Sequence, residues 1–229
     1  MPDRSNQPLI QARGLTKIYR LGATEVVGLN NIDLDLSAGE LVVLKGNSGS
    51  GKSTLLALLA GLDQPTSGRL VIADQDLKQA TPAQLTQYRR EVVGMVFQSF
   101  NLLPTLTVLE NVALPALLAG KRQAIVESKA RQLLTWLNLK PRLDHLPAQL
   151  SGGEMQRTAI ARALINDPAI ILADEPTGNL DSRNGKGVID LLGSLNRQFG
   201  ATVIIATHSN LADSIATARI CLKDGAITE

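Results

Sequence analysis

The sequence predicts an α/β protein with a parallel-sheet core, an antiparallel β lobe ahead of that core, and an inserted helical lobe. Three observations lead to this fold class. A glycine-rich loop, GNSGSGKST at residues 46–54, separates the apolar run ELVVLK from the helix-like run LLALLAGL. Strand and helix patterns alternate again from residue 168 onward. The residues between these two parts carry mainly amphipathic helix patterns.

The first forty residues predict the β lobe. They contain short β-rich runs, PLIQAR, TEVV and IDLDLS, separated by glycines and a Ser-Ala-Gly turn. Such runs are typical of antiparallel strands. ELVVLK is then the first core strand, residues 52–61 form the helix after the glycine-rich loop, and RLVIA is a further strand.

Residues 82–167 predict the helical lobe, inserted between core segments of about 1–81 and 168–229 in a single domain. The helical patterns are AQLTQYRREV, TVLENVALPALLAG, AIVESKARQLLTWLNL and GGEMQRTAIARALIN, interrupted by one short strand, VGMVF. The chain then continues with strand AIILAD, a helix across 183–199, strand ATVIIAT, a short helix, and a hairpin in RICLKDGAIT.

Composition argues against several functions. The 229 residues include one cysteine and two histidines, so a disulfide framework, a cysteine-based zinc cluster and a histidine-rich metal site are not expected. The net charge is only +2, and nucleic acid is therefore not an expected partner. No apolar run approaches the roughly 18 residues of a membrane helix, and the start MPDRSNQP lacks the apolar segment of a secretory signal. We expect a cytoplasmic protein.

The glycine-rich loop fits a phosphate-binding pattern: a glycine, four free positions, then Gly-Lys-Ser. Its glycines allow backbone N–H groups to face a polyphosphate, the following helix directs its positive end at the same point, and the lysine reaches the outer phosphates. The strand before the loop and the helix after it supply the context that the motif requires. The loop predicts nucleoside triphosphate binding by Gly46, Asn47, Ser48, Gly49, Ser50, Gly51, Lys52, Ser53 and Thr54.

A second acidic motif follows later in the chain. IILADE, ending at residue 175, predicts a buried strand that terminates in two adjacent acids. In a nucleotide site Asp174 would bind Mg²⁺ and Glu175 would act on an attacking water. The alternative is a strand that simply ends in a polar turn.

A third motif, LSGGE at residues 150–154, predicts a helix start capped by Ser151, with Gly152 and Gly153 permitting close approach of an anion. The plain alternative is an ordinary helix start. Because the phosphate loop already provides a site for the triphosphate of this chain, a second anion-binding terminus suggests contact with the nucleotide of another subunit.

GNSGSGKST, LSGGEMQR and ILADEPTGNLDS, in this order, resemble the ATP-binding subunits of ABC transporters, and the resemblance extends from Leu9 onward. It implies an ABC-type P-loop NTPase with a RecA-like core, with ATP and Mg²⁺ as cofactors and ATP hydrolysis as the reaction. It also implies a head-to-tail homodimer and an integral-membrane permease that docks between Gln98 and Leu109. Through that permease the chain would lie on the inner face of the cytoplasmic membrane.

The resemblance assigns roles that local patterns leave open. Tyr19 in LTKIYR matches the aromatic residue that stacks on adenine, where a core tyrosine is the alternative. Gln98 in VFQSFNLLP matches a glutamine that contacts Mg²⁺, and Asp181 in GNLDS matches an acid at the dimer interface, where a helix cap is the alternative. His208 in IIATHS matches the histidine that contacts the γ-phosphate, although an isolated histidine is more often structural.

Three further groups of residues follow from the resemblance. The implied catalytic residues are Glu175, His208 and Lys52. The implied Mg²⁺ ligands are Ser53, Gln98 and Asp174. The implied contacts to the ATP of the partner subunit are Leu150, Ser151, Gly152, Gly153 and Glu154, the last in place of the more usual glutamine.

Competing functions lack their own signals in the sequence. No Asn-Lys-x-Asp stretch indicates a GTPase, no long heptad insertion indicates a DNA-repair or condensin-type ATPase, and Glu175 argues against a pure binding module. Within the family, the phrases FNLLPTLTVLENVALPALLAG and RLDHLPAQLSGGE are most similar to the bacterial lipoprotein-release and macrolide-export group. A non-transport regulatory ATPase of the cell-division type is the alternative.

Overall fold

Two β-sheets and the helices around them are seen in a computed structural model that describes residues 8–22 and 24–228. The strands are β1 (Ile10–Leu21), β2 (Thr24–Leu36), β3 (Leu41–Lys45), β4 (Ser67–Ile72), β5 (Gln75–Asp76), β6 (Val93–Val96), β7 (Ile170–Asp174), β8 (Thr202–Ala206), β9 (Ala218–Lys223) and β10 (Ala226–Ile227). The α-helices are α1 (Lys52–Leu59), α2 (Pro82–Glu91), α3 (Val108–Leu118), α4 (Gln123–Trp136), α5 (Gly152–Leu164) and α6 (Ser182–Phe199). Within the described ranges, every helix is too short or too polar to cross a bilayer.

The β lobe is an antiparallel sheet in the order β2-β1-β4-β5, which confirms the predicted strand type. The strand bounds differ from the prediction, because TEVV and IDLDLS belong to the single 13-residue strand β2. Gly28 does not interrupt it, since the residues on either side of Gly28 pair with β1. Register shifts in the pairing with β1 accommodate Gly28, and hydrogen bonding to this preceding strand of the hairpin outweighs the weak strand preference of a glycine.

The core sheet has the order β10-β9-β3-β8-β7-β6, and its members from β9 to β6 are parallel. Strands β3, β7 and β8 are buried along nearly their whole length, as their continuous apolar runs predict for strands covered on both faces. Because β3, β8, β7 and β6 are parallel neighbours, their carboxyl ends lie along one edge of the sheet. The phosphate loop, the acidic pair and the segment with His208 all leave the sheet at this edge.

The helical lobe has its own apolar core, formed by α3, α4 and α5 around residues such as Val112, Ala130 and Leu134. The segment of residues 82–96, which the sequence pattern assigns to this lobe, packs elsewhere. Tyr88 of α2 lies in the main core and donates from its hydroxyl to the Leu59 carbonyl at 2.5 Å, and β6 pairs with β7. A strand needs a partner strand for its backbone hydrogen bonds. VGMV obtains this partner from β7, so it forms the edge of the core sheet. We propose that the helical lobe starts after residue 96, later than the predicted residue 82.

The prediction of a short helix after β8 is wrong. Residues 207–217 form bends and turns, in which side chains supply the hydrogen bonds that a helix would make. Ser209 N donates to Thr207 Oγ1 at 3.0 Å, and Leu211 N donates to Ser209 Oγ at 3.2 Å. Hydroxyl side chains compete with helical hydrogen bonding in this way. The predicted final hairpin is confirmed by the antiparallel pair of β9 and β10.

Candidate active site

An open cleft with a volume of about 720 Å³ lies at the carboxyl edge of the core sheet. It brings together residues that are far apart in the sequence, from the β lobe, the phosphate loop and the ends of three core strands. Five groups predicted for the nucleotide site are not part of its lining: Gly46, Ser50, Asp174, residues 150–154 and Asp181. The lining residues are Tyr19, Val26, Val27, Gly28, Asn47, Ser48, Gly49, Gly51, Lys52, Ser53, Thr54, Gln98, Glu175 and His208.

The phosphate loop has the backbone that its glycines predict. Gly51 precedes α1 with a φ of 104°, and no side chain caps this helix, so its first N–H groups are available to an anion. A Cβ atom at Gly46 would lie 2.3 Å from Ser50 Oγ and 2.4 Å from the Leu222 carbonyl oxygen. The Lys52 Nζ donates to the carbonyls of Gly46 and Asn47, at 2.7 and 3.0 Å. Its ammonium group is thus held across the loop opening.

The carboxyl group of Asp174 lies at the end of β7, beside the first turn of α1. Burial raises the pKa of Asp174, as does the charge of Glu175, whereas the neighbouring Ser53 side chain and the Lys52 charge lower it. Its Oδ1 atom is buried and has no hydrogen-bond partner within the described part of the chain. A buried carboxylate oxygen next to a serine hydroxyl fits the preference of Mg²⁺ for oxygen ligands. Among the described residues no group of three or more His, Cys, Asp or Glu side chains is arranged to hold a metal ion, and a magnesium ion here would need phosphate and water ligands as well.

Glu175 and His208 are brought into direct contact. The Glu175 Oε1 atom accepts the His208 backbone N–H at 3.1 Å and lies 2.9 Å from His208 Nδ1. The Oε2 atom accepts the Thr207 hydroxyl at 3.1 Å, and the Glu175 backbone N–H donates to the Ala206 carbonyl at 2.8 Å. The carboxylate is therefore held by the segment that follows β8. Sequence reasoning did not find Thr207, whose only signal was its position directly before His208.

The β lobe forms the outer wall of the cleft. Tyr19 lies in β1 opposite Val26 of β2, and Lys17 Nζ is 5.0 Å from the centre of the tyrosine ring. Tyr19 is half-buried and lines the cleft, and it belongs to none of the apolar core clusters. Val26 and Val27 are 44 % and 51 % exposed beside it. These valines were missed, because a strand pattern does not reveal which apolar side chains stay uncovered.

Gln98 follows β6 and joins the cleft to the loop after β7. Asn179 Nδ2 donates to the Gln98 carbonyl at 3.0 Å. A Cβ atom at Gly178 would lie 2.6 Å from Gln98 Nε2, so this glycine permits the close approach. Gln98 is thus positioned by the segment that carries the acidic pair.

Two helix starts lie together on a surface outside the cleft, which we call the signature surface (residues 150–154 and 181–184). Ser151 caps α5, and Asp181 caps α6 by accepting from the backbone N–H groups of Arg183 and Asn184 at 3.0 and 2.9 Å. The hydrogen bond from the Asn184 backbone is the largest cause that lowers the pKa of Asp181. A Cβ atom at Gly153 would lie 2.7 Å from Asn184 Oδ1, so the two helix starts are in contact. Leu150 is buried in the helical lobe.

The sequence and fold are similar to those of proteins whose family is known. Residues 29–178 match the sequence profile of the family described as ABC transporter. This chain belongs to the ABC transporter family. Its fold is the ABC-type P-loop NTPase fold that the sequence predicts, and within the family it is the ATP-binding and ATP-hydrolysing subunit, with ATP and Mg²⁺ as cofactors. It acts with a second copy of itself and with a membrane permease.

Relatives of this ABC subunit are similar along nearly their whole length. The lipoprotein-releasing system ATP-binding protein LolD of Idiomarina loihiensis is 46 % identical over 218 residues, which cover 95 % of each chain. The dimeric ATP-binding cassette MJ0796 in a post-hydrolysis state with ADP and Pi superposes with a TM-score of 0.89 at 40 % identity, covering 96 % of this chain and 97 % of that one. CbiO1 of Clostridium perfringens, part of the cbiONQ ABC transporter complex, has a TM-score of 0.87 at 25 % identity, covering 98 % and 88 %.

Proposed function

We propose that this subunit hydrolyses ATP in two sites that a head-to-tail pair of copies shares, and that closure of the pair drives a permease of the lipoprotein-release type. One observation carries the proposal. The cleft combines the phosphate loop with Glu175 and His208, whereas the second anion-directed helix start lies outside it on the signature surface. A head-to-tail arrangement would place the signature surface of one copy over the cleft of the other.

In the cleft, the loop backbone and the start of α1 would hold the phosphates. The Lys52 ammonium group, which donates to the carbonyls of Gly46 and Asn47, would donate to phosphate oxygens instead. Ser53, Gln98 and Asp174 would hold Mg²⁺, which neutralises charge on the outer phosphates when bound. The adenine would stack on Tyr19, which lines the cleft together with exposed apolar side chains.

Hydrolysis would depend on Glu175. Its carboxylate, held by Thr207 and the His208 backbone, would orient a water molecule and accept its proton. His208 is 73 % exposed at its side chain, so it can turn from Glu175 toward the transferred phosphate. Across the interface, Ser151 and the backbone N–H groups of Gly152, Gly153 and Glu154 would contact the γ-phosphate, and Asp181 would face the partner.

The permease would dock between Gln98 and Leu109. Next to this segment a groove of about 470 Å³ lies between the core and the helical lobe, with Met95, Phe97 and Leu118 in its lining. Leu103 and Leu118 are 44 % and 65 % exposed, and apolar side chains of this kind suit a helix of a membrane partner. Docking there would place the subunit on the inner face of the cytoplasmic membrane.

Similarity to the LolD subunit of Idiomarina loihiensis over 95 % of both chains supports lipoprotein release over the cell-division alternative. Reconstitution with a co-purified permease in vesicles distinguishes the two. Release of an embedded lipoprotein on ATP addition supports the proposal, and ATP turnover without any release favours the regulatory alternative.

Complementation between two inactive variants tests the shared site. K52A removes the phosphate-loop lysine, and S151R places a bulky cation at the start of α5. In a mixed dimer one site carries both defects and the other carries neither, so mixing should restore about half of the wild-type activity per mixed dimer. Activity no greater than the sum of the separate variants would show that the sites are not shared.

The Glu175 assignment is tested by E175Q with E127Q as the matched control, a half-buried glutamate of α4 that does not line the cleft. We expect E175Q to bind ATP, to hydrolyse it at least a hundredfold more slowly, and to accumulate as a dimer in light scattering. E127Q should behave like the wild type. Wild-type turnover in E175Q would remove Glu175 from the mechanism.

A further inference from the structure

The start of α5 carries the negative charge of Glu154, although we propose that a phosphate binds there. Ser151 and Glu154 form a capping box: the Glu154 N–H donates to Ser151 Oγ at 3.3 Å, and Glu154 Oε2 accepts from the Ser151 backbone N–H and hydroxyl, both at 2.8 Å. A carboxylate in the first turn stabilises a helix. The same carboxylate repels a phosphate that approaches the helix start.

Glu154 is charged throughout the working range of pH. Its hydrogen bonds with Arg142 first, and with the Ser151 backbone next, lower the pKa of Glu154 to about 2. Protonation therefore cannot relieve the repulsion. A glutamine at this position would not carry the charge.

Arg142 supplies the compensating charge. It lies in a short 3₁₀ turn, Lys140–Arg142, ahead of the helix, and its Nε donates to Glu154 Oε1 at 2.8 Å. Glu154 is the more buried partner, with 18 % of its side chain exposed against 41 % for Arg142. The arginine binds the carboxylate oxygen that Ser151 leaves free. Glu154 thus stays paired when the Ser151 hydroxyl turns its proton toward a phosphate.

We propose that Arg142 is a positioning residue for the shared site, which offsets and orients the Glu154 carboxylate so that the start of α5 can bind the γ-phosphate of the partner's ATP. The inference rests on the shared site proposed above. It adds a residue outside the LSGGE segment, and it explains how glutamate is compatible with this position.

A double-mutant cycle tests the pair. In the E175Q background, ATP-dependent dimerisation is followed by light scattering for R142A, E154Q and R142A combined with E154Q. We expect R142A to raise the ATP concentration for half-maximal dimerisation about tenfold, equivalent to about 1.4 kcal/mol. When Glu154 is replaced by glutamine, R142A should change that concentration less than twofold. R142K, which keeps the charge, should lie within about threefold of its parent.

R69A is the matched control, because Arg69 also pairs through Nε with a carboxylate, Asp76, but in the β lobe. It should leave dimerisation unchanged. ATP binding to the isolated monomer and the melting temperature are measured for each variant, to separate effects on the loop and on folding. An equal effect of R142A with glutamate or glutamine at 154, or no effect at all, overturns the proposal. Absence of an ATP-dependent dimer in E175Q itself overturns the shared site, and this inference with it.

Discussion

Replacement of Thr207 by valine should impair catalysis while sparing nucleotide binding. Thr207 is 2 % exposed, and its hydroxyl donates to Glu175 Oε2 at 3.1 Å. T207V keeps the branched shape but leaves that carboxylate oxygen without this donor. A hydrogen bond to a charged group contributes about 1.5–3 kcal/mol. If about half of this restrains the carboxylate in its working orientation, kcat falls roughly four- to thirteenfold.

A second hydrogen bond predicts a separate effect on stability. Thr207 Oγ1 also accepts the Ser209 N–H at 3.0 Å, and its loss should lower the free energy of unfolding by about 1 kcal/mol. The two effects can be distinguished, because stability is measured by urea unfolding and catalysis by turnover of folded protein at saturating ATP.

Steady-state ATP hydrolysis provides the assay, with T207S as the control that keeps the hydroxyl. We expect T207V to lower kcat with little change in the KM for ATP, and T207S to stay within about threefold of the wild type. In the E175Q background T207V should have no further effect on the residual rate. An unchanged kcat in T207V, or an equal loss in T207S, would refute the role of this hydroxyl.

Three further predictions concern the loop, the helical lobe and the response to pH. G46A should weaken ATP binding by roughly a hundredfold in calorimetry, because its Cβ would lie 2.4 Å from the Leu222 carbonyl oxygen; unchanged affinity would contradict the loop geometry. N111L should lower the free energy of unfolding by about 3 kcal/mol, because the 1 % exposed Asn111 amide donates to carbonyls of residues 103, 106 and 107 and accepts the Leu103 N–H; a urea midpoint equal to the wild type would contradict this. The pKa of Glu154 is lowered from 4.5 to about 2, so its stabilising effect is complete above pH 4.5 and is lost as the pH falls toward 2. The stability advantage of the wild type over E154Q, about 1–2 kcal/mol at pH 7 after solvent screening, should therefore vanish near pH 2; a constant difference would contradict it.

Continuous apolar runs were sufficient to predict the buried core strands. In LVVL, IILA and VIIA each residue is apolar because helices cover both faces of a parallel sheet, and this needs no knowledge of the neighbouring strands. The bounds of β2 and the sheet membership of β6 could not be predicted in this way. The bounds of β2 depend on its hairpin pairing with β1 across Gly28, and the sheet membership of β6 depends on pairing with β7, which is distant in the sequence.

The phosphate loop was predictable for a related reason. Its glycines, its lysine and the helix that follows are contiguous, so local backbone geometry positions most of the groups that face a phosphate. The capping role of Ser151 is equally local. In the single chain Asp181 is a helix cap, which is the alternative that its local sequence suggests. Its contact with a second copy stays a prediction.

The sequence by itself determined the fold class, the family and the contiguous motifs, since each depends on residues that are close along the chain. Only the tertiary structure decided that Glu175 meets Thr207 and His208, about thirty positions away, because parallel strands bring their carboxyl ends together whatever their separation in sequence. It also decided that Arg142 pairs with Glu154, and that Tyr19 lines the cleft instead of entering the core. The charge pairing of Glu154 and the exposure of Tyr19 depend on how separate segments pack together. A local pattern of residues does not contain this information.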